Sequence, residues 1–171
     1  MEQFRLLYIN HGLKEAYNRF HESLKDGDKQ NSVSYAASLS ELLMWICISD
    51  EWHFRNNNKD KYYDDIKSDK TGGNYVKGLR YAFNSIKHVM TFTTLTRTTG
   101  RKEIFISGYQ TEDYTTESKW ANIDNLIEFD KRYAEQRDDY KKYIEDKPVI
   151  ETVNAACDFL FSEYTKLKFN S

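Results

Sequence analysis

The sequence predicts an all-α protein, mainly a helical bundle of about five helices, with a small β-hairpin insertion. Two observations predict the helices. The chain of 171 residues contains a single proline and only seven glycines, which favours long helices over many short strands. Apolar residues also recur along most of the chain at the spacing of one helix face. A third observation, a stretch rich in threonine, isoleucine and phenylalanine around Gly100, predicts the hairpin.

The first half of the chain predicts a helical hairpin followed by a central helix. Residues 2–24 and 32–54 both carry apolar residues at helical spacing, and we expect residues 26–28 to form a turn between them. Residues 59–70 are highly charged and predict a loop or a frayed turn. Residues 75–93 predict the central helix. Its apolar stripe consists of Tyr75, Leu79, Ala82, Phe83, Ile86 and Met90.

The second half predicts the hairpin and two further helices. We expect residues 94–98 to pair with residues 103–107, and a loop to follow as far as Trp120. Residues 125–145 predict a fourth helix with a sparse apolar side. Pro148 suits the first turn of the last helix, because the missing N–H of proline is not needed there.

Length and composition predict the domain organisation and the compartment. We expect residues 1–171 to form one helical domain with the hairpin and loop as an insertion near residues 94–120. The charged N-terminus does not predict a secretory signal, and no apolar run is long enough to cross a membrane. Cys47 and Cys157 both lie among apolar helical residues. They predict reduced core thiols in a cytoplasmic protein.

The charges are distributed unevenly along the chain. Residues 70–102 contain seven lysines and arginines and no aspartate or glutamate, whereas the rest of the chain has a balance of −9. The chain as a whole has a formal charge of −2, which excludes a general nucleic-acid binder but not a local basic patch. Such asymmetry predicts a site for an anionic partner. The predicted nucleic-acid-binding residues are Lys77, Lys87, Arg97, Arg101 and Lys102.

A polar ladder runs along the central helix. Arg80, Asn84 and His88 follow one another at four-residue spacing, so they lie one turn apart on one side of the helix. RNA cleavage by an internal hydroxyl needs no metal. It needs a group that titrates near neutral pH, such as histidine, and a cation for the developing charge, such as arginine. The ladder therefore predicts a catalytic set, with Asn84 orienting the imidazole or the phosphate. In the alternative interpretation, Arg80 pairs with an acidic residue of the fourth helix and His88 is a surface or interface histidine.

Other kinds of site have little support in the sequence. The four histidines fall on three predicted helices, and no zinc or calcium motif is present, so we expect no metal and no cofactor. No nucleophile motif surrounds a serine, and neither cysteine has a histidine in a recognisable arrangement. Residues 71–74 open the central helix and contact a phosphate in one interpretation, but they are a simple loop in the other.

The segment of residues 78–88, GLRYAFNSIKH, resembles the signature helix of HEPN-like proteins. Trp120, the charged helix after it and the residues 143–149, YIEDKPV, are similar to the tail of bacterial members of that group. The resemblance covers residue 32 to the C-terminus. It implies an all-α domain of the kind found in bacterial toxin–antitoxin and phage-defence systems. Its active members are metal-independent endoribonucleases whose arginine and histidine meet across a homodimer.

The match to that signature is incomplete at one position. Asn84 and His88 correspond to the family pattern, but Phe83 occupies the place where the family has its arginine. Arg80 lies one turn earlier, with seven residues between it and His88, one more than the family pattern has. Replacing the cation with a ring removes most of the charge stabilisation that cleavage requires. The resemblance therefore favours a HEPN-like fold over HEPN-type catalysis.

Three functional hypotheses follow. The first is a defence-associated or toxin–antitoxin protein that binds RNA or cleaves it without metal, with the ladder at a homodimer interface. The second is a non-catalytic module that binds another protein, such as an immunity or antidefence protein of a prophage. The third is a nucleotide sensor that uses the basic patch.

Overall fold

The structure, a computed structural model, describes residues 2–24, 33–56, 59–89, 94–106, 109–126 and 130–169. Within these ranges the chain forms six α-helices and one antiparallel two-stranded sheet, which confirms the predicted class. The helices are α1 (Glu2–Leu24), α2 (Val33–Asn56), α3 (Lys59–Ser68), α4 (Gly72–Val89), α5 (Ala134–Tyr143) and α6 (Val149–Phe169). The strands are β1 (Thr94–Ile106) and β2 (Tyr109–Trp120), and two short 3-10 turns, Ile123–Asn125 and Lys131–Tyr133, precede α5.

The helix α4 lies at the centre of the bundle and contacts α2, α3, α5 and α6. Val76, Leu79 and Ala82 are fully buried on one side of it. Tyr81 is buried on another side, where its ring contacts Tyr140 of α5 at 5.4 Å between centroids. Among the residues that the structure describes, one strip of the α4 surface stays at least partly exposed, and it contains Lys77, Arg80, Asn84, Lys87 and His88.

Glycines let the central helix approach its neighbours closely. A Cβ on Gly73 would lie 2.6 Å from the carbonyl oxygen of Ile66 in α3, and a Cβ on Gly78 would lie 2.9 Å from the Ile144 side chain. Both distances are shorter than carbon and oxygen atoms tolerate without movement. The two glycines therefore set how near α3 and the end of α5 stand to α4.

The prediction of a loop at residues 59–70 is wrong, because residues 59–68 form α3. Tyr62 and Ile66, one turn apart, are each 1% exposed and anchor the helix to the core. Asp60 in the first turn and Lys67 in the last turn also suit the helix dipole. Two apolar residues among many charges are enough for a short helix once a core is available to bury them.

The predicted hairpin exists, but its predicted pairing is wrong. Thr98 pairs with Thr116 and Glu103 with Glu112, so both strands are much longer than expected and the predicted loop before Trp120 is strand. The register shifts between Thr99 and Arg101, which makes Gly100 a bulge residue instead of the turn. The end of the expected second strand, residue 107, lies outside the described residues.

The predicted fourth helix is only half correct. Of residues 125–145, only α5 at Ala134–Tyr143 is α-helical among those described, and Asp130 caps the 3-10 turn before it by accepting a hydrogen bond from the Arg132 N–H at 2.8 Å. Such side-chain bonds compete with a continuous helix. Pro148 immediately precedes α6, and its carbonyl accepts the N–H of Thr152.

Trp120 joins the hairpin to the bundle. Its side chain is fully buried, and the indole Nε1–H donates to Oγ1 of Thr152 in α6 at 2.7 Å. Its backbone N–H donates to the carbonyl of Lys147, and its carbonyl accepts from the N–H of Asp146. The base of the hairpin is thus fixed on the start of α6. Within the described parts of the chain, no helix has both the length and the apolar character needed to span a bilayer.

Candidate functional site

The polar ladder lies on the open strip of α4, as the helical spacing predicts. The apolar stripe opposite it is confirmed for Tyr75, Leu79 and Ala82, which are buried. Arg80 and Asn84 are partly exposed, and Lys87 and His88 are exposed. Met90, the last predicted member of the apolar stripe, lies outside the described residues. The ladder thus faces outward, between α2 on one side and α5 on the other.

Arg80 is held by Asp50 of α2. Its Nε donates to Oδ2 of Asp50 at 2.7 Å, and its Nη2 donates to Oδ1 at 2.9 Å. The Asp50 side chain is 6% exposed and the Arg80 side chain 29% exposed. Burial acts to lower the pKa of Arg80, but the carboxylate of Asp50 outweighs it and leaves the pKa raised. Arg80 is therefore a permanent cation, paired with α2 and not with the fourth helix.

Tyr62 and His53 lie near the Asp50 carboxylate. The Tyr62 hydroxyl donates to Oδ1 of Asp50 at 2.9 Å, and burial raises the pKa of Tyr62, so that this group stays a donor. His53 stacks on the Tyr62 ring with 5.5 Å between centroids. Burial lowers the pKa of His53 to about 4, against a weaker opposite effect of Asp50. His53 is consequently a buried, neutral imidazole at neutral pH.

Asn84 and His88 contact the other wall of the strip. The Asn84 Nδ2 donates to Oε1 of Gln136 in α5 at 2.8 Å. The His88 Nε2 lies 3.1 Å from the Tyr133 hydroxyl, and the two rings are tilted with centroids 5.6 Å apart. Arg80 therefore turns toward α2, whereas Asn84 and His88 turn toward the α5 side. The three side chains follow one ridge without converging on one point.

A cavity of about 390 Å³ lies along this strip, and we call it the α4 groove. Its floor is α4 and its walls are α2, α3 and α5. The lining residues are Cys47, Asp50, Glu51, Phe54, Tyr63, Arg80, Phe83, Asn84, Lys87 and Gln136. The groove thus combines two cations, two carboxylates, an amide pair and three aromatic rings in one opening.

The remaining predicted basic residues are spread over other places. The Lys77 ammonium lies 5.9 Å from the centre of the Tyr143 ring, at the start of the same open strip. Arg97, Arg101 and Lys102 lie in β1, where they pair with Glu117, Tyr114 and Asp113 respectively. The side chains of these three strand residues lie outside the described part of the structure. The structure therefore brings together Arg80, Asn84 and Lys87, with His88 beside them.

Residues 71–74 have a structural role that replaces the phosphate interpretation. The Oδ1 of Asp69 accepts the N–H groups of Thr71 and Gly72 at 2.9 and 2.7 Å, so a carboxylate already occupies the position an anion would take. A Cβ on Gly72 would also lie 2.5 Å from the carbonyl oxygen of Ala155 in α6. The glycine is needed for close packing of two helices.

Sequence reasoning missed several residues of the site. Asp50, Tyr62, Tyr133 and Gln136 are each far along the chain from the ladder residue or carboxylate that they contact. Asp50 and His53 are one turn apart in the sequence, and both are buried in α2, so their spacing alone could have indicated a shared polar site. In the described residues, no cluster of three or more histidine, cysteine, aspartate or glutamate side chains could hold a metal ion.

Comparison with known proteins identifies no similar protein: the chain matches no family model, no curated protein and no solved structure.

Proposed function

We propose that the chain is a HEPN-like RNA-binding protein of a bacterial defence or toxin–antitoxin system, which holds single-stranded RNA along the α4 groove. The observation that carries the proposal is the open strip of α4, on which Arg80, Asn84, Lys87 and His88 face outward beside a cavity. The phosphate backbone of RNA is attracted by lysine and arginine, and unpaired bases offer hydrogen-bonding edges to amides. A reducing cytoplasm suits both RNA binding and the free thiols of Cys47 and Cys157.

The α4 groove is less acidic than the other large cavity, because its two carboxylates, Asp50 and Glu51, are matched by Arg80 and Lys87. A second cavity, of about 540 Å³ between α3 and α6, is lined by Asp65, Asp69, Asp158 and Glu163 and by one lysine, Lys166. That lysine is occupied, because its Nζ donates to Asp65 at 3.1 Å and to Glu163 at 2.5 Å. The acidic cavity would repel phosphate, so the α4 groove is the better place for RNA.

The geometry favours binding over cleavage within one chain. Arg80 and His88 are eight residues apart, which separates their Cα atoms by about 12 Å along the helix. Their side chains then diverge, toward Asp50 in one case and Tyr133 in the other. One scissile phosphate cannot contact both groups at once. A cleaving site would need one of the two groups from a second copy of the chain.

Binding to a labelled single-stranded RNA, measured by fluorescence anisotropy with a chelator present, tests the proposal. The exposed Lys87 should contact phosphate, so Lys87→Ala should weaken binding about 3- to 10-fold and lower the salt dependence by about one charge. Lys14→Ala is the matched control. Lys14 is also an exposed lysine, but it lies on α1, which packs against α2 and α6 and contributes no residue to the lining of the α4 groove. A wild-type protein that binds no RNA, or equal losses in both variants, would refute the proposal.

Incubation of the same RNA with the protein in chelator tests the catalytic version. We expect intact RNA with the wild type and with His88→Ala alike. Fragments that form without metal and disappear in His88→Ala would instead establish a ribonuclease, whose active unit should then be a dimer. Induced expression in bacteria gives a second measurement, since only a ribonuclease predicts toxicity that His88→Ala removes.

A second candidate function, a protein-interaction module that forms a homodimer, rests on the outer face of the α1–α2 hairpin. Phe4, Leu7 and Tyr8 of α1 are 74%, 55% and 62% exposed, and Met44 and Ile48 of α2 are also partly exposed. Apolar side chains grouped in this way commonly mark an interface. Light scattering should give a dimer mass that Phe4→Asp together with Ile48→Asp reduces to a monomer. A monomeric wild type would exclude the homodimer.

A further inference from the structure

The α4 groove is lined by different kinds of side chain from different helices. Its lining contains aromatic rings from α2 and α3, amides from α4 and α5, and a lysine near the end of α4. Building on the proposed function, we propose that the groove is the site of one unpaired nucleotide of the RNA. The base stacks against Tyr63, its edge meets the Asn84–Gln136 pair, and its phosphate contacts Lys87.

The aromatic end provides the stacking surface. The rings of Phe54 and Tyr63 are tilted at 56° with centroids 6.1 Å apart, which is too close for a base to enter between them. Tyr63 is 39% exposed, so part of its ring faces the groove and solvent. The Lys67 ammonium lies 4.9 Å from the centre of this ring, and Lys67 is itself exposed. A base that stacks on Tyr63, as bases do on aromatic residues of single-strand-binding proteins, therefore displaces the Lys67 side chain into solvent.

The two cations of the groove are spaced along α4. Lys87 is seven residues beyond Arg80, or about 10.5 Å along α4, and Arg80, held by Asp50, lines the same groove as Phe54 and Tyr63. Cys47 of α2 lines the same groove, and the charges of both cations act to lower the pKa of its thiol, although burial leaves that pKa raised. That distance is comparable with the length of a nucleotide from its base to its phosphate. The spacing therefore fits one nucleotide lying along the helix.

The amide pair supplies the hydrogen-bonding edge. Asn84 uses one donor and Gln136 one acceptor in the bond between them. The pair retains the Asn84 Oδ1 as an acceptor and the Gln136 Nε2 as a donor. Every nucleobase presents a neighbouring donor and acceptor on one of its edges, so the pair suits a base that is not already paired.

The size of the opening selects for single strands. A cavity of about 390 Å³ is near the lower end of the usual range for small-ligand sites, about 300–1,000 Å³. A base within a duplex is stacked on both sides and its edge is paired, so it cannot enter such a groove without being extruded. The groove should therefore prefer unpaired RNA to duplex RNA.

The test compares three ligands by fluorescence anisotropy: a short single-stranded RNA, the same strand annealed to its complement, and the same sugar–phosphate strand with abasic sites. We expect the wild type to bind the intact single strand most tightly. Tyr63→Leu should weaken that binding about 5- to 100-fold, the usual effect of losing one base–aromatic stack, and should hardly change binding to the abasic strand. Tyr164→Leu is the control, because it removes a partly exposed ring from α6, outside the α4 groove.

Two results would overturn the inference while leaving RNA binding intact. One is equal affinity of the wild type for the intact, abasic and duplex ligands, which would mean that only the backbone is bound. The other is a Tyr63→Leu protein that melts normally and binds the single strand as tightly as the Tyr164→Leu control does. If the wild type binds none of the three ligands, the proposed function fails together with the inference.

Discussion

Arg80 and Asp50 form a two-point ion pair that joins α4 to α2 at the floor of the α4 groove. The pair uses Nε and Nη2 of the guanidinium and both carboxylate oxygens, at 2.7 and 2.9 Å. Arg19 and Glu41 form a pair of the same type between α1 and α2, at 2.9 and 2.7 Å. The side chains of Arg19 and Glu41 are 47% and 35% exposed, whereas those of Arg80 and Asp50 are 29% and 6% exposed. The same pairing geometry therefore occurs once at the surface and once partly buried.

The first prediction concerns the depth of the Arg80–Asp50 pair. Asp50→Asn should lower the free energy of unfolding by about 2–3 kcal/mol, because it leaves a partly buried guanidinium without a counter-charge. Glu41→Gln, at the exposed pair, should cost less than about 1 kcal/mol. Urea unfolding of both variants measures the difference. Equal costs would mean that burial does not decide the strength of the pair.

The same substitution should affect RNA binding in the opposite direction. The Asp50 carboxylate repels phosphate in the groove and occupies two donors of Arg80. Folded Asp50→Asn should therefore bind single-stranded RNA several-fold more tightly than the wild type in the anisotropy assay. A weaker affinity would show that Asp50 contributes to binding by positioning Arg80. Glu41→Gln serves again as the control and should leave affinity unchanged.

The third prediction is that Gly73→Ala destabilises the protein, although a change from glycine to alanine usually stabilises a helix. Alanine is favoured over glycine inside a helix by about 1 kcal/mol. Gly73→Ala should nevertheless destabilise the protein by about 2 kcal/mol or more, because the new Cβ meets the backbone of Ile66 at 2.6 Å. Gly12→Ala should cost less, since its Cβ meets only the Trp45 ring, a half-buried side chain that can move. Thermal melting of both variants checks the order, and a stabilised Gly73→Ala would contradict the packing.

The fourth prediction concerns pH. The pKa of His53 is about 4 in the folded protein, below the value near 6.5 of an unfolded histidine. Below about pH 6.5 His53 binds a proton in the unfolded chain but stays neutral in the folded protein, so the free energy of unfolding decreases as the pH falls toward 4. Between about pH 7.5 and pH 5 the wild type should lose about 2 kcal/mol more than His53→Phe does. Urea unfolding at both pH values measures the two losses in stability. Equal losses in the wild type and in His53→Phe would mean that a group other than His53 binds the proton.

The fifth prediction concerns the attachment of the hairpin. Trp120→Phe should cost about 1–3 kcal/mol, because it removes a fully buried indole and its hydrogen bond to Thr152. A double-mutant cycle with Thr152→Val isolates the hydrogen bond, for which we expect a coupling of about 1 kcal/mol in urea unfolding. A coupling near zero would mean that the indole stabilises the junction by packing alone.

Much of the helical structure could be predicted because it depends on local periodicity. The seam of α1 predicts its bounds, and the stripe of α4 predicts both its buried side and its polar ladder. The predictions for the pairing of the hairpin strands and for residues 59–70 were wrong because the local sequence there is compatible with two structures. Gly100 suited a turn as well as a bulge, and the charges of α3 obscured Tyr62 and Ile66, whose burial decides in favour of a helix.

The sequence by itself determined the helical class and the order of charges and polar groups along α4, because side chains three and four residues apart must share a helix face. Only the tertiary structure decided what those groups face. Asp50 is 30 residues from Arg80, and Gln136 is 52 residues from Asn84. Their meeting depends on how α2 and α5 pack around α4, a property of the filled core that no local pattern encodes.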